Sequence, residues 1–188
     1  MAILKVAHLG NPVVRKQAAK VDPADLAKPE LQRFLDDMVD TMREYDGIGL
    51  AAPQVHVSQQ IVVIEGEMLD DEPSVPEAAR KLLHLVNPVI RTKSDKRYLM
   101  WEGCLSVPGL RGKVPRIKEL ELEALDRDGK PVRLKAEGYF AGVIQHELDH
   151  LAGKVYLDRL PDLSTLTYLK EFRHYWEKDS DALDEPVV

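Results

Sequence analysis

The chain has 188 residues, 44% of them hydrophobic, which is enough to bury one core and makes a single domain the expectation. A net charge of −6 argues against a general nucleic-acid binder, and no apolar run approaches the roughly 20 residues of a membrane helix. Cys104 is the one cysteine, so no intrachain disulfide can form, and the opening MAILKVAHLG lacks the apolar centre of a signal peptide; a reducing, cytoplasmic location is expected.

In chain order, the first strong pattern lies in residues 25–45. Leu31, Phe34, Leu35, Met38, Val39 and Met42 recur there at helical spacing among charged residues, which predicts an amphipathic helix ending before Gly47. The stretch GIGLAAPQV, residues 47–55, carries too much glycine for an ordinary helix or strand and reads as a tight loop that another backbone can approach. Residues 61–64 form a β-branched run suited to a buried strand. The acidic, proline-punctuated residues 65–80 read as a surface loop, and the sheet is expected to resume over 85–91.

Further on, Leu120, Leu122 and Ala124 alternate with Glu119, Glu121 and Glu123. DRDGK then turns the chain, and Val132, Leu134 and Ala136 alternate in their turn, so a hairpin with one wet face is predicted. Gly138 opens a helix from about 139 to 151, with Gly153 as its C-terminal cap, and residues 163–176 predict a last helix. The end, KDSDALDEPVV, is polar and acidic. The expected organisation is therefore one catalytic domain over 1–178 and a disordered tail over 179–188. Strands and helices mix without regular alternation, which indicates an α+β fold, mostly antiparallel sheets packed around a central helix.

That central helix carries QHELDH, residues 145–150. Residues four apart share a helix face, so His146 and His150 can direct two imidazoles at one divalent metal ion, and Glu147 beside them can reach a water. Catalytic sites of this kind use three protein ligands, and the stretch supplies two. Three residues compete for the third place. A metzincin would have its ligand six residues after the second histidine, where Tyr156 stands. Glu171 lies at a suitable distance for a glutamate ligand, but among the charges of a solvated face. Cys104, in WEGCLSVPG, offers a thiolate, although a lone cysteine is more often a small buried hydrophobe.

Taken together, GIGLAAPQ at residues 47–54, EGCLS at 102–106 and QHELDH at 145–150 resemble the three motifs of the peptide deformylases, in the same order and with similar separations. The likeness extends over about residues 1–160, including the DRDGKP hairpin; the acidic insertion at 65–80 and the acidic tail are less typical. The resemblance implies Cys104, His146 and His150 as metal ligands and Glu147 as general acid and base. It further implies that the Gln54 side chain and the Leu105 backbone N–H stabilise the oxyanion. Substrate would lie along Ile48 and Gly49, and the first residue would enter a pocket of Ile48, Glu102, Tyr139, Gly142, Val143 and His146.

By the same resemblance the reaction is removal of the formyl group from N-formylmethionyl nascent chains with release of formate. Fe(II) is then the physiological ion, which Zn(II), Ni(II) or Co(II) can replace. Transient contact with the ribosome is expected, with no membrane association and no specific nucleic-acid recognition. From the residues alone, a glutamate-ligand metallopeptidase and a binding module with a structural metal stay open. Cleavage of internal bonds would mark the first, and a closed four-ligand site the second.

Overall fold

The computed structural model describes residues 2–66 and 81–179. Its first long element is a helix, Pro29–Glu44 (α1). The helical pattern of residues 25–45 is divided, because Pro23 and Pro29 each bias the preceding residue away from the α region. Pro23–Ala27 forms a 3₁₀ turn, capped by Asp22, whose carboxylate accepts from the Ala24 N–H at 3.0 Å. Then Pro29 starts α1, at a position where its missing N–H costs nothing.

The glycine-rich stretch is more ordered than its composition predicts. Gly49–Ala51 is a strand (β1), and Ala52–Val55 a 3₁₀ turn that stops at His56, which has a φ of 67°. The strand exists because Gly49, Leu50 and Ala51 pair antiparallel with Ile64, Val63 and Val62 of the next strand, Ile61–Gly66 (β2). The resumed sheet is longer than expected, Lys81–Lys93 (β3). Two strands without a sequence expectation follow, Arg97–Cys104 (β4) and Val107–Ile117 (β5), joined by a tight turn in which Cys104 pairs with Val107. The expected hairpin is Glu119–Leu125 (β6) with Pro131–Glu137 (β7), Leu122 facing Leu134.

The central helix runs Gly138–Leu151 (α2). The single last helix expected over 163–176 is instead a two-residue strand, Thr167–Tyr168 (β8), and a short helix, Leu169–Tyr175 (α3). Local bonds draw that segment off a helical path. Asp162 accepts from the Ser164 N–H at 2.6 Å, Thr165 Oγ1 accepts from the Lys113 N–H at 3.1 Å, and Thr167 pairs with Arg111. Most of the expected loop at 65–80, and the expected tail beyond Asp179, lie outside the described residues.

The strands make two antiparallel sheets, ordered β1-β2-β3-β6-β7 and β4-β5-β8. The run IVVI shows how the first is buried. Val62 and Ile64 join a core with Ala141, Ile144 and Leu151 of α2, while Ile61 and Val63 join one with Leu35, Met38 and Met42 of α1. Covered on both faces, β2 has no wet side, which is why its sequence is apolar without alternation. A third cluster places Cys104, Val107 and Val114 of the second sheet against Val155 and Tyr156. In this α+β arrangement β1 and β4 are both edge strands.

Candidate active site

On α2, His146 and His150 stand one turn apart with ring centroids 5.0 Å from each other, both nearly shielded from solvent. Cys104, at the end of β4, brings its Sγ to 3.2 Å from His150 Nε2. One ligand atom from each of the three residues lies within 4.8 Å of the others. This set fits a metal ion on its own chemistry. A thiolate and two imidazoles suit a borderline divalent ion, and the three buried donors converge. Glu147 Oε2, next to them, is buried with no hydrogen-bond partner among the described residues. Burial alone would push the Cys104 thiol up, but His150 and His146 beside it reverse the sign and hold it well below its ordinary value, as a ligand thiolate requires.

The sequence profile of the polypeptide deformylase family matches residues 3–165. The chain belongs to that family. It is 44% identical to peptide deformylase 1 of Bordetella pertussis, over 89% of this chain and 91% of the relative. A Met-Ala-Ser-bound class I type b peptide deformylase of Acinetobacter baumannii superposes with a TM-score of 0.76 at 34% identity, covering 85% of this chain and 99% of that one. A deformylase of Legionella pneumophila gives 0.74 at 38% identity, over 86% and 88%. The protein is accordingly a hydrolase of protein biosynthesis that removes the formyl group from nascent peptides, and Cys104, His146 and His150 are its metal-binding triad.

Of the third-ligand candidates, Cys104 is the one that the fold groups with the two histidines. Tyr156 is buried with its ring stacked on His146 at a centroid distance of 6.4 Å, and Glu171 is exposed on α3.

Behind the ligands lies a chain of buried charges that periodicity and motif spacing barely signalled. His146 Nδ1 donates to Glu102 at 2.7 Å, which leaves Nε2 with its lone pair for the site. Arg116 holds the same carboxylate through two bonds, at 2.6 and 2.9 Å, and reaches Asp149 at 2.7 Å; Arg159 clasps Asp149 from the surface side. Burial opposes ionisation of Glu102 and Asp149, but these guanidinium partners, with His146 for Glu102, hold both carboxyls below their ordinary range. Glu102 borders the cavity as expected, yet its carboxylate serves His146 and Arg116. The available hint was Asp149 itself, a charge between two histidines on a buried helix, which demands a cation.

Gln54 is fixed from below. Its Oε1 accepts the Ala51 N–H at 2.8 Å, which turns the amide Nε2 toward Cys104 Sγ at 3.5 Å. Gly49 has a reason beyond an open backbone: a Cβ there would lie 2.6 Å from Glu147 Oε1. Leu105, in the β4–β5 turn, borders the same cavity, whose volume is about 450 Å³. Of the expected substrate contacts, Ile48, Gly49, Tyr139 and Val143 line it as well.

Gly142 differs from expectation, since it does not border the cavity. A Cβ on it would meet Met100 Sδ at 2.1 Å and the Tyr98 hydroxyl oxygen at 2.6 Å. The glycine is a seat for Met100, and Met100 is the residue that reaches the cavity wall. Trp101, Arg111 and Leu169 also line it. Periodicity gave no sign of Met100 or Leu169, because Met100 is placed by the pairing of β4 with β5 and Leu169 by the pairing of the preceding Tyr168 with Leu110.

Proposed function

We propose that Cys104, His146 and His150 hold one divalent ion, Fe(II) in the cell and replaceable by Zn(II), Ni(II) or Co(II), and that residues 1–178 act as one catalytic domain. When bound, the ion supplies Lewis acidity for the formyl group and for a water. Glu147 takes the proton from the attacking water and later delivers it to the departing amine nitrogen, so that the C–N bond breaks and formate is released. Burial raises its carboxyl above the ordinary range, which suits a group that must both accept and return a proton. The Gln54 Nε2 amide and the Leu105 N–H donate to the oxygen that gains charge during attack.

Substrate binding follows from the edge strands. The free edge of β1 near Ile48 and Gly49 offers backbone groups to an extended peptide, as an added strand would use them. The first side chain then enters the hollow between Tyr139, Val143 and Met100, apolar surroundings suited to N-formylmethionine. Arg111 stands where the peptide continues. The A. baumannii relative holds Met-Ala-Ser, a peptide of the kind this reaction leaves. Nascent chains carry the formyl group as they leave the ribosome, so the enzyme works in the cytoplasm with transient ribosome contact. The net charge of −6 gives no support to nucleic-acid recognition, and no helix among the described residues is long and apolar enough to cross a membrane.

One observation carries this reading: three ligand atoms converge beside a cavity lined by Cys104, His146 and Glu147, and the carboxylate oxygen Glu147 Oε2 has no partner among the described residues. The test is formate release from formyl-Met-Ala-Ser by protein loaded with Fe(II) under exclusion of oxygen. Turnover of that peptide, with no cleavage of internal peptide bonds, is the expected result. Metal-loaded protein that releases no formate would overturn it.

A further inference from the structure

The match to the family ends at residue 165, but the wall of the cavity does not. Leu169, the first residue of α3, borders the cavity, and so does Trp101 of β4. Phe172, buried on α3, places its ring edge-to-face on Trp101 with centroids 5.1 Å apart. Trp176 lies against the other part of the same indole at 5.8 Å, and Lys113 Nζ sits 5.5 Å from its centroid. A seven-residue helix is too short to be stable by itself, so this aromatic cluster and the pairing of Tyr168 with Leu110 are what hold α3 at the mouth.

Holding the helix accounts for Phe172, which is buried. It does not account for Trp176, which keeps 47% of its surface exposed, or for Leu169, which is half-buried on the cavity side. Rigid indole surface presented to solvent binds apolar groups at little cost in side-chain entropy. The strip is continuous with the substrate cavity, and an extended peptide that fills the cavity advances about 3.3 Å per residue toward the mouth. The occupant that fits is therefore the substrate itself, past its first residue.

We propose that Trp101, Leu169 and Trp176 form a shelf for an apolar side chain at the second or third position of the formyl-peptide. The enzyme then favours nascent chains with an aromatic or branched aliphatic residue there. This rests on the deformylase reading and adds a determinant of selectivity to which Leu169 and Trp176, after the family match ends at residue 165, contribute.

The test compares kcat/KM of the metal-loaded full chain for formyl-Met-Ala-Phe against formyl-Met-Ala-Ser, and for formyl-Met-Phe-Ser against formyl-Met-Ser-Ser. A preference of about five- to tenfold for phenylalanine in one of the two pairs is expected, the scale of half-burying one aromatic side chain. It should fall to within about twofold in Leu169→Ser and in Trp176→Ser. No preference in the parent protein, or a preference that both variants keep, overturns the shelf. An equal loss on every peptide with the ratios kept also overturns it, because α3 would then be only a support for Trp101.

Binding without turnover gives a second readout. Trp101 and Trp176 are the two tryptophans of the chain, so its indole emission comes from the shelf. Titration of the Zn(II)-loaded protein with the product peptides should shift that emission more for Met-Ala-Phe or Met-Phe-Ser than for Met-Ala-Ser. Equal shifts with all three overturn the proposal. If no formyl-peptide releases formate, the deformylase reading fails, and the emission titration still decides the shelf.

Discussion

At the floor of the cavity and directly behind it, Cys104, His146, His150, Glu102 and Arg116 are at most 9% exposed, and the charges of Glu102, Arg116 and Asp149 are matched to one another within 3 Å. At its mouth, Ile48, Tyr139 and Trp176 keep 38%, 52% and 47% of their surface in solvent. The two regions should respond differently to change. In the buried floor a missing partner leaves a charge in a low dielectric, so losses are large and coupled. At the mouth water replaces whatever is removed, so losses are small and selective.

The largest effect is expected from Cys104→Ala, which should lose metal and activity together, because two imidazoles alone hold a divalent ion weakly. Metal analysis checks this, and full occupancy would show that another residue completes the site. Glu147→Gln should keep its metal and lose about 10²-fold or more in kcat, since proton transfer is removed and ligation is not. A fall in its metal content would make Glu147 a ligand.

One level behind the ligands, Glu102→Gln leaves Arg116 poorly matched and His146 less well oriented. We expect metal affinity to weaken by about 10- to 100-fold. Stability should fall by up to about 3–5 kcal/mol, the scale for a broken buried ion pair, read by urea unfolding. The sign of the pH dependence follows from the same groups. The folded chain holds the Glu102 and Asp149 carboxyls below their ordinary values, so on acidification the unfolded chain takes up protons on them first. Their stabilisation is present above the unfolded value near 4 and is lost as pH falls through the folded values. Between pH 7 and pH 3 the parent should therefore lose more stability than Glu102→Gln; a parallel loss would show that Glu102 does not titrate with folding.

Gly142→Ala should cost about 1–3 kcal/mol through overpacking against Met100, and distinctly less when Met100 is alanine as well. Thermal unfolding of the four proteins of that cycle separates the cases, and additive costs would mean that Tyr98, not Met100, is the neighbour that resists. The smallest effect belongs to the mouth. Tyr139→Ala should leave stability within about 0.5 kcal/mol and change kcat/KM for formyl-Met-Ala-Ser by less than about tenfold. A loss as large as that of Glu102→Gln would erase the distinction between the two regions.

How much of this was legible in the sequence depends on the span of the interaction concerned. Helical periodicity placed His146, Glu147 and His150 on α2, and strand alternation placed the β6–β7 hairpin, because both patterns are set by residues within one or two turns of each other. The apolar run of β2 announced a buried strand, and the structure covers it on both faces. The third ligand was different. A lone Cys104 is ambiguous by its chemistry, and the motifs it shares with a family pointed to it where spacing did not.

Tertiary structure decided the rest. GIGLAAPQV contains a strand because β2 lies beside it, and residues 163–176 contain one because β5 does, although neither composition nor period favours it. The roles of Glu102 and Gly142 were set by partners brought from far along the chain, Arg116 and His146 for one and Met100 for the other. Local sequence determines which elements can form, since backbone sterics and periodicity act over a few residues. Which faces meet depends on contacts such as Cys104 with His150, 46 residues apart, and Arg116 with Asp149, 33 apart, and these exist only once both sheets have closed on α2.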